Sequence, residues 1–166
     1  MTTKLIRKLF FLQLVLFAFS ANSQVNSNNE VSEDKSISAQ LYTRCFENLN
    51  QGSEILEKYP VFKDFKLCSL LYCTILLSYQ ENDIKLVAEQ RLQGITTQLF
   101  REGNPVYLIS GMESYEKAIE NNKNLEDDNH IVYISIGACQ ISPFESKAQD
   151  IVNKQTMFLI KKASSE

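Results

Sequence analysis

The chain has 166 residues, of which 44% are hydrophobic and 22% are charged, and its net charge is −3 at pH 7. This length and composition are typical of one globular domain, and because no segment recurs at a fixed period they exclude a repeat architecture. The acidic balance argues against nucleic-acid binding, because such proteins need clusters of Lys and Arg that replace the phosphate counterions.

The first 23 residues have the layout of a secretory signal peptide. A short positively charged segment precedes an apolar run from Leu9 to Ala21, and small residues follow it. The run is too short for a membrane span, which takes about 20 residues. We predict cleavage after Ser23, with Gln24 as the new N-terminus. Removing the leader takes away three positive charges and no negative ones, so the net charge falls from −3 to −6.

These features predict an exported protein in an oxidising compartment. No further apolar run reaches spanning length, so we expect no membrane span after cleavage. The chain has no Asn-x-Ser/Thr sequon, and its leader resembles those of envelope proteins from Gram-negative bacteria. Both observations favour a periplasmic or extracellular protein of bacterial origin.

Residues 24–35 are polar, with Asn, Ser and acidic side chains. They have too little apolar surface to offset the entropy of ordering, so we predict a flexible arm. The remaining residues, 36–166, are predicted to form a single globular domain.

The first half of this domain is predicted to be helical. Apolar residues recur at three- and four-residue steps over 38–58, 61–79 and 82–102. The first two helices are separated by Tyr59-Pro60, a sequence that ends a helix and predicts a helical hairpin. The third ends at Gly103-Asn104-Pro105.

The second half alternates between strands and helices. We predict strands at Val106–Ile109 and Ile131–Ile136, where β-branched and aromatic residues cluster. The capping-box pattern at Ser110–Glu113 predicts a helix to about Asn121, and Ser142-Pro143 predicts another to about Lys162. The apolar residues expected to face inward on these two helices are Met112, Tyr115, Ala118 and Ile119, then Ala148, Ile151, Val152, Phe158 and Leu159. The predicted fold class is therefore α+β and mostly helical: three helices, then strand–helix–strand–helix, with a two-stranded parallel sheet.

Four cysteines predict disulfide bonds in an exported protein: Cys45, Cys68, Cys73 and Cys139. Cys68 and Cys73 lie on one predicted helix, too far apart to be joined there. In a helical hairpin that turns at Tyr59-Pro60, Cys45 comes opposite Cys73. We therefore predict a Cys45–Cys73 bond and, by elimination, a Cys68–Cys139 bond. The alternative is that all four are buried free thiols.

The sequence offers little catalytic chemistry. His130 is the only histidine, and the cysteines lack zinc-binding spacing, so we predict neither a metal nor a cofactor. The one nucleophile–base pair to consider is Cys139 with His130. An unbroken strand would put the two side chains on opposite faces, unless Gly137 bends the chain. The acidic run Glu126–Asp128 lacks the pattern of a calcium loop and is interpreted as a solvated loop.

These observations favour a non-enzymatic binding protein of the bacterial envelope with an unidentified protein partner. In size, leader and cysteine count the chain is similar in outline to periplasmic immunity or inhibitor proteins, which implies neutralisation of a partner protein. Two alternatives stay open. One is a small envelope enzyme that uses Cys139 or a pair of carboxylates, and the other is a structural component that self-associates.

Overall fold

The computed structural model describes residues 36–46, 53–60, 66–124, 131–137 and 139–165. All of them belong to the unit Lys35–Glu166. In chain order the elements are α1 (Ile37–Thr43), α2 (Ser53–Glu57), α3 (Leu70–Leu76), α4 (Asn82–Arg101), β1 (Val106–Ser110), α5 (Ser114–Asn121), a 3₁₀ turn (Asn122–Asn124), β2 (Val132–Gly137) and α6 (Pro143–Ala163). The predicted signal peptide, 1–23, and the predicted arm, 24–35, lie outside the described residues.

The fold is α+β and mostly helical, which confirms the predicted class. β1 and β2 pair in parallel, with Val106 opposite Val132 and Leu108 opposite Ile134. A parallel pair needs a crossover connection, and α5 lies on the chain between the two strands. None of the described helices combines the length and apolarity that crossing a bilayer requires.

One face of the sheet lies at the centre of the core. Val106, Leu108, Val132 and Ile134 are at most 2% exposed, while the residues between them are only half-buried. This alternation arises because successive side chains of a strand point to opposite faces. α4 and α6 pack against each other and contact β1, whereas α1 and α5 contact β2. The helices thus cover a two-stranded sheet that would be marginally stable alone.

The two longest helices confirm their predicted positions. Gly103 follows α4 with a φ of 78°, the left-handed conformation that glycine adopts most easily after a helix. α6 begins with a complete capping box, in which the Ser142 hydroxyl accepts from the N–H of Glu145. The Glu145 carboxylate in turn accepts from the N–H of Ser142 at 2.8 Å.

The predicted helix over 38–58 is wrong as a continuous element. The first helix ends before Arg44, whose backbone is extended with a ψ of 125°. The N–H of Phe46 then donates to the carbonyl oxygen of Cys68 at 2.7 Å, a long-range bond that a continuing helix would not make. A disulfide between Cys45 and Cys68 holds the chain at the same point. The short helix α2 follows only after residues 47–52, which lie outside the described part.

The predicted helix over 61–79 is longer than the observed one. α3 covers Leu70–Leu76, and Ser69 is its N-cap, with a hydroxyl that accepts from the N–H of Tyr72 at 3.2 Å. The extended backbone of Ser69 interrupts any helix that would run through it. Residues 61–65 lie outside the described part of the chain.

The predicted capping box at Ser110–Glu113 is also wrong. Ser110 is the last residue of β1, and its hydroxyl donates to the Gln149 side-chain oxygen at 2.9 Å. Gly111 has a φ of 116° and turns the chain out of the strand, so that α5 starts at Ser114. The helix forms as expected, but one turn later than the capping pattern indicated.

Asparagine side chains close both outer edges of the sheet. On the free side of β1, the Asn153 carboxamide accepts from the N–H of Leu108 at 2.8 Å and donates to its carbonyl oxygen at 2.9 Å. On the free side of β2, Asn122 makes the same pair of bonds with Tyr133, both at 2.8 Å. Each carboxamide thus takes the place of a neighbouring strand at the middle of an edge.

Candidate functional site

The carboxyl ends of β1 and β2 meet at one edge of the sheet, and hydrogen bonds join the loops that leave them. The N–H of Gly111 donates to the carbonyl oxygen of Gly137 at 3.2 Å. The Ser114 hydroxyl donates to the same oxygen at 2.8 Å and lies 2.6 Å from the Ser135 hydroxyl. Crevices at this edge of parallel sheets often bind ligands. Here, however, the serine hydroxyls are used in holding the two loops together.

Cys139 follows β2 at this edge, and its free thiol is exposed. The sequence paired it with His130 as a candidate catalytic base. His130 lies outside the described residues, so that pairing stays a prediction. The described residues at this edge, Ser110 and Gln149 among others, supply hydroxyl and amide groups. Among the described residues, no titratable group is hydrogen-bonded to the Cys139 thiol.

A stripe of large apolar side chains lies exposed on α5 and the loop before it. Met112 is 78% exposed, Tyr115 67% and Ile119 44%. Tyr115 and Ile119 lie four residues apart, which puts them on one side of the helix, and Met112 lies in the loop just before it. We call these three residues the α5 stripe. The sequence predicted that this side faces the core, which is wrong for these three residues. The small side chains of Ser114 and Ala118 are buried instead, at 3% and 4% exposure, so the helix rests on the sheet through them.

Acidic side chains border the α5 stripe. Glu113 pairs with Lys117, with 3.3 Å between the ammonium nitrogen and the carboxylate oxygen. Glu116 and Glu120 lie one helical turn apart and have no ion pair among the described residues. Two like charges at this spacing repel each other by a few tenths of a kcal/mol. Beside the stripe, Glu116 and Glu120 therefore have no basic partner among the described residues, whereas Glu113 has Lys117.

Other large apolar side chains are exposed on α4 and α6. Leu86 of α4 is 57% exposed, and on α6 Met157 is 50% and Phe158 is 61% exposed. The prediction that Phe158 points inward is therefore wrong. The inward position on that turn belongs to Thr156, which is fully buried and donates to the carbonyl oxygen of Val106 at 2.6 Å.

The disulfide joins Cys45 to Cys68, whose Cα atoms are 4.6 Å apart. The predicted Cys45–Cys73 and Cys68–Cys139 bonds are both wrong, since Cys73 and Cys139 are free. The pairing failed because it assumed two continuous antiparallel helices. With the first helix ended before Arg44 and the second starting at Leu70, the two cysteines in the joining segments meet instead.

Cys73 of α3 and Arg91 of α4 influence each other's protonation. Cys73 is fully buried, and this burial raises the pKa of its thiol to about 12, against an opposing effect of Arg91. Arg91 is only 7% exposed, and burial lowers the pKa of its guanidinium while Cys73 acts in the opposite direction. Its Nε atom is buried and has no hydrogen-bond partner among the described residues. Among the described residues, Nε is the one buried side-chain nitrogen or oxygen without a hydrogen-bond partner.

The described residues contain no cluster of three or more His, Cys, Asp or Glu side chains that could hold a metal ion. The acidic run Glu126–Asp128 lies outside the described residues. Comparison with protein-family models, curated proteins and solved structures finds no match to this chain.

Sequence reasoning did not identify three groups that matter in the fold. Arg91 lies at helical spacing between Ala88 and Ile95. A charged residue within an apolar stripe was a signal from which its burial could have been predicted. Asn122 and Asn153 carried no such signal, because asparagine is common in polar segments and its edge-closing role depends on tertiary contacts.

Proposed function

We propose that this chain is a small exported binding protein without enzymatic activity, and that the α5 stripe with its acidic border is its binding surface. The supporting observation is the exposure of Tyr115 and Ile119 on one side of a short helix, with the exposed Met112 in the loop just before it. Isolated exposed apolar residues are normal on protein surfaces, whereas contiguous ones with a polar rim are typical of interaction sites. Tyr and Met are also enriched in such interfaces.

The closed sheet edges favour docking on this helix over the addition of a strand. A partner strand needs free backbone N–H and C=O groups along an edge. At Leu108 and Tyr133 the asparagine carboxamides already occupy both groups. A helix or loop that lays apolar side chains on the α5 stripe needs none of these groups.

The charge around the stripe indicates the chemistry of the partner. Glu116 and Glu120 have no ion pair among the described residues, and the chain without its leader would carry a net charge of −6. We infer a protein segment that presents apolar side chains flanked by Lys or Arg. Complementary charge speeds association and orients the partners. An inhibitor or immunity role, in which an acidic protein neutralises a basic one, fits this chemistry.

We propose the periplasm or the extracellular medium of a bacterium as the location. The Cys45–Cys68 disulfide is of a kind that persists in oxidising compartments. The predicted leader would deliver the chain there. The acidic chain is not expected to bind nucleic acids or anionic lipid surfaces.

The test compares the exported protein with the double variant Tyr115→Ser/Ile119→Ser, both immobilised and exposed to bacterial envelope extract. We expect the unchanged protein to retain a basic partner saturably and the variant to lose it. With the partner purified, Tyr115→Ser alone should raise Kd more than tenfold, because removing a central aromatic side chain costs about 2 kcal/mol or more. Raising the salt concentration should weaken binding further.

Phe158→Ser is the matched control, since it removes an aromatic side chain of similar exposure, 61%, from α6. Its Kd should equal that of the unchanged protein, and thermal melts should show that all variants are folded. A partner that binds the double variant as tightly as the unchanged protein would contradict the proposed surface. Retention of nothing but a second copy of this chain would favour the self-associating alternative instead.

A further inference from the structure

A second exposed apolar patch lies near the C-terminal end of α6. Its apolar side chains are the adjacent Met157, 50% exposed, and Phe158, 61% exposed. Lys161 and Lys162 follow Phe158 by three and four residues, so both lysines lie beside it on the helix. We call these four residues the α6 patch. The two lysines are exposed, and neither forms an ion pair with a described residue.

The α6 patch and the α5 stripe have complementary chemistry. Each presents large apolar side chains to solvent. The α5 stripe has Glu116 and Glu120 beside it without an ion pair among the described residues, whereas the α6 patch contains two lysines. Opposite charges at the rim of an apolar contact orient the partners and speed their association. The chain therefore carries, on its own surface, the kind of segment that the α5 stripe is suited to bind: apolar side chains flanked by Lys.

One chain cannot join these two surfaces, because its helices are held apart. The Asn153 carboxamide fixes α6 to the outer edge of β1. Asn122, directly after α5, is bonded in the same way to the outer edge of β2. The two helices are therefore held at opposite edges of the sheet. A contact between the α6 patch and an α5 stripe needs two copies of the chain.

We propose that the α6 patch of one copy docks on the α5 stripe of a second copy, so that the protein associates head to tail. Such a contact joins two different surfaces and leaves one of each free at the ends of the assembly. Few residues take part, so the association is weak and grows with concentration. This inference rests on the α5 stripe being a docking surface, as the proposed function requires. It adds that self-association covers the surface that the basic partner would bind.

The experiment is sedimentation velocity of the exported chain over a range of concentrations, with two complementary variants. Phe158→Ser removes the aromatic side chain of the α6 patch, and Tyr115→Ser/Ile119→Ser disrupts the α5 stripe. Each variant alone should stay monomeric at concentrations at which the unchanged protein associates. An equimolar mixture of the two should form a dimer and nothing larger, because the intact patch of one variant binds the intact stripe of the other. High salt should weaken this dimer.

Leu86→Ser is the matched control, since Leu86 is exposed to a similar extent, 57%, but lies on α4. It should associate as the unchanged protein does. Lys161→Glu/Lys162→Glu should stay monomeric, because its carboxylates would then face those of the α5 stripe's border. Thermal melts should show that all variants are folded. Association of either complementary variant alone, or a mixture that stays monomeric, would overturn the head-to-tail contact.

The outcome is distinguishable from that of the partner assay. The immobilised protein in that assay is not free to self-associate, so Phe158→Ser should leave the Kd of the partner unchanged there. A monomeric mixture of variants, together with saturable binding of a basic partner, would overturn the self-association alone. A dimer in the mixture without any partner from the envelope extract would support the self-association and contradict the proposed function.

Discussion

At the residue scale, two asparagine side chains form hydrogen bonds with backbone groups at the two outer edges of a very small sheet. A strand of a two-stranded sheet has one free edge, and the backbone groups of Leu108 on that edge are fully buried. Buried backbone groups need partners, because leaving one unsatisfied costs about 1–3 kcal/mol. The Asn153 carboxamide, carried by α6, satisfies both groups of Leu108 at once. It therefore links helix and strand as a third strand would.

We expect Asn153→Ala to lower the free energy of unfolding by about 2–3 kcal/mol, because it leaves a buried N–H and a buried C=O without partners. Urea denaturation measures this change. Lys154→Ala is the control, since Lys154 is 80% exposed in its side chain and pairs only with Asp150 on the surface. Its effect should stay within about 0.5 kcal/mol. Equal effects of the two substitutions would mean that the carboxamide contributes little to the edge.

At the element scale, the short helices α1 and α3 depend on a covalent link. The Cys45–Cys68 disulfide closes a loop with a sequence separation of 23. A bond of this span stabilises a fold by about 3 kcal/mol, mainly by restricting the unfolded chain. The same segments are joined by the Phe46–Cys68 backbone hydrogen bond. Together these links take the place of the long helical hairpin that the sequence indicated.

The double variant Cys45→Ser/Cys68→Ser should therefore lose about 3 kcal/mol of unfolding free energy in denaturation with urea. Reducing agent should destabilise the unchanged protein by a similar amount and should leave this variant unaffected. Cys139→Ser, which changes an exposed free thiol, should match the unchanged protein in both conditions. Insensitivity of the unchanged protein to reductant would contradict a stabilising role for this bond.

The same elements show what the sequence could predict and where it failed. α4 and α6 were predicted well because each has a long apolar stripe and a local signal at one end, Gly103 in one case and Ser142 in the other. The prediction of a continuous helix over 38–58 was wrong because sequence periodicity carries no information about the long-range bonds near Arg44, where the helix ends. The α5 stripe was found as a pattern, but its exposure was not. Periodicity shows that residues share a side, whereas tertiary packing decides whether that side is covered.

At the scale of the whole molecule, sequence reasoning does not identify two kinds of group. The exposure of Tyr115 depends on the small Ser114 and Ala118 side chains that rest on the sheet. The lack of a hydrogen-bond partner for the Arg91 Nε atom depends on which acceptors the fold brings near it, and among the described residues there is none. Composition and motifs predicted the fold class correctly, because it follows from patterns along the chain, while the export that they indicate stays a prediction. A candidate site depends on which residues are neighbours in space, so it could be identified only from the fold.

The state of the four cysteines connects the proposed export with the fold. Passage through an oxidising compartment should leave one disulfide and two thiols in a chain that starts at Gln24. A peptide map of the protein recovered from cells, digested without reductant, should show the Cys45–Cys68 pair. Iodoacetamide should modify Cys139 in the native protein, since it is exposed. It should reach Cys73 only after unfolding, because that thiol is buried and its pKa is raised to about 12. A cross-linked Cys45–Cys73 peptide would contradict the fold, whereas a recovered chain that still begins at Met1 with reduced Cys45 and Cys68 would contradict export.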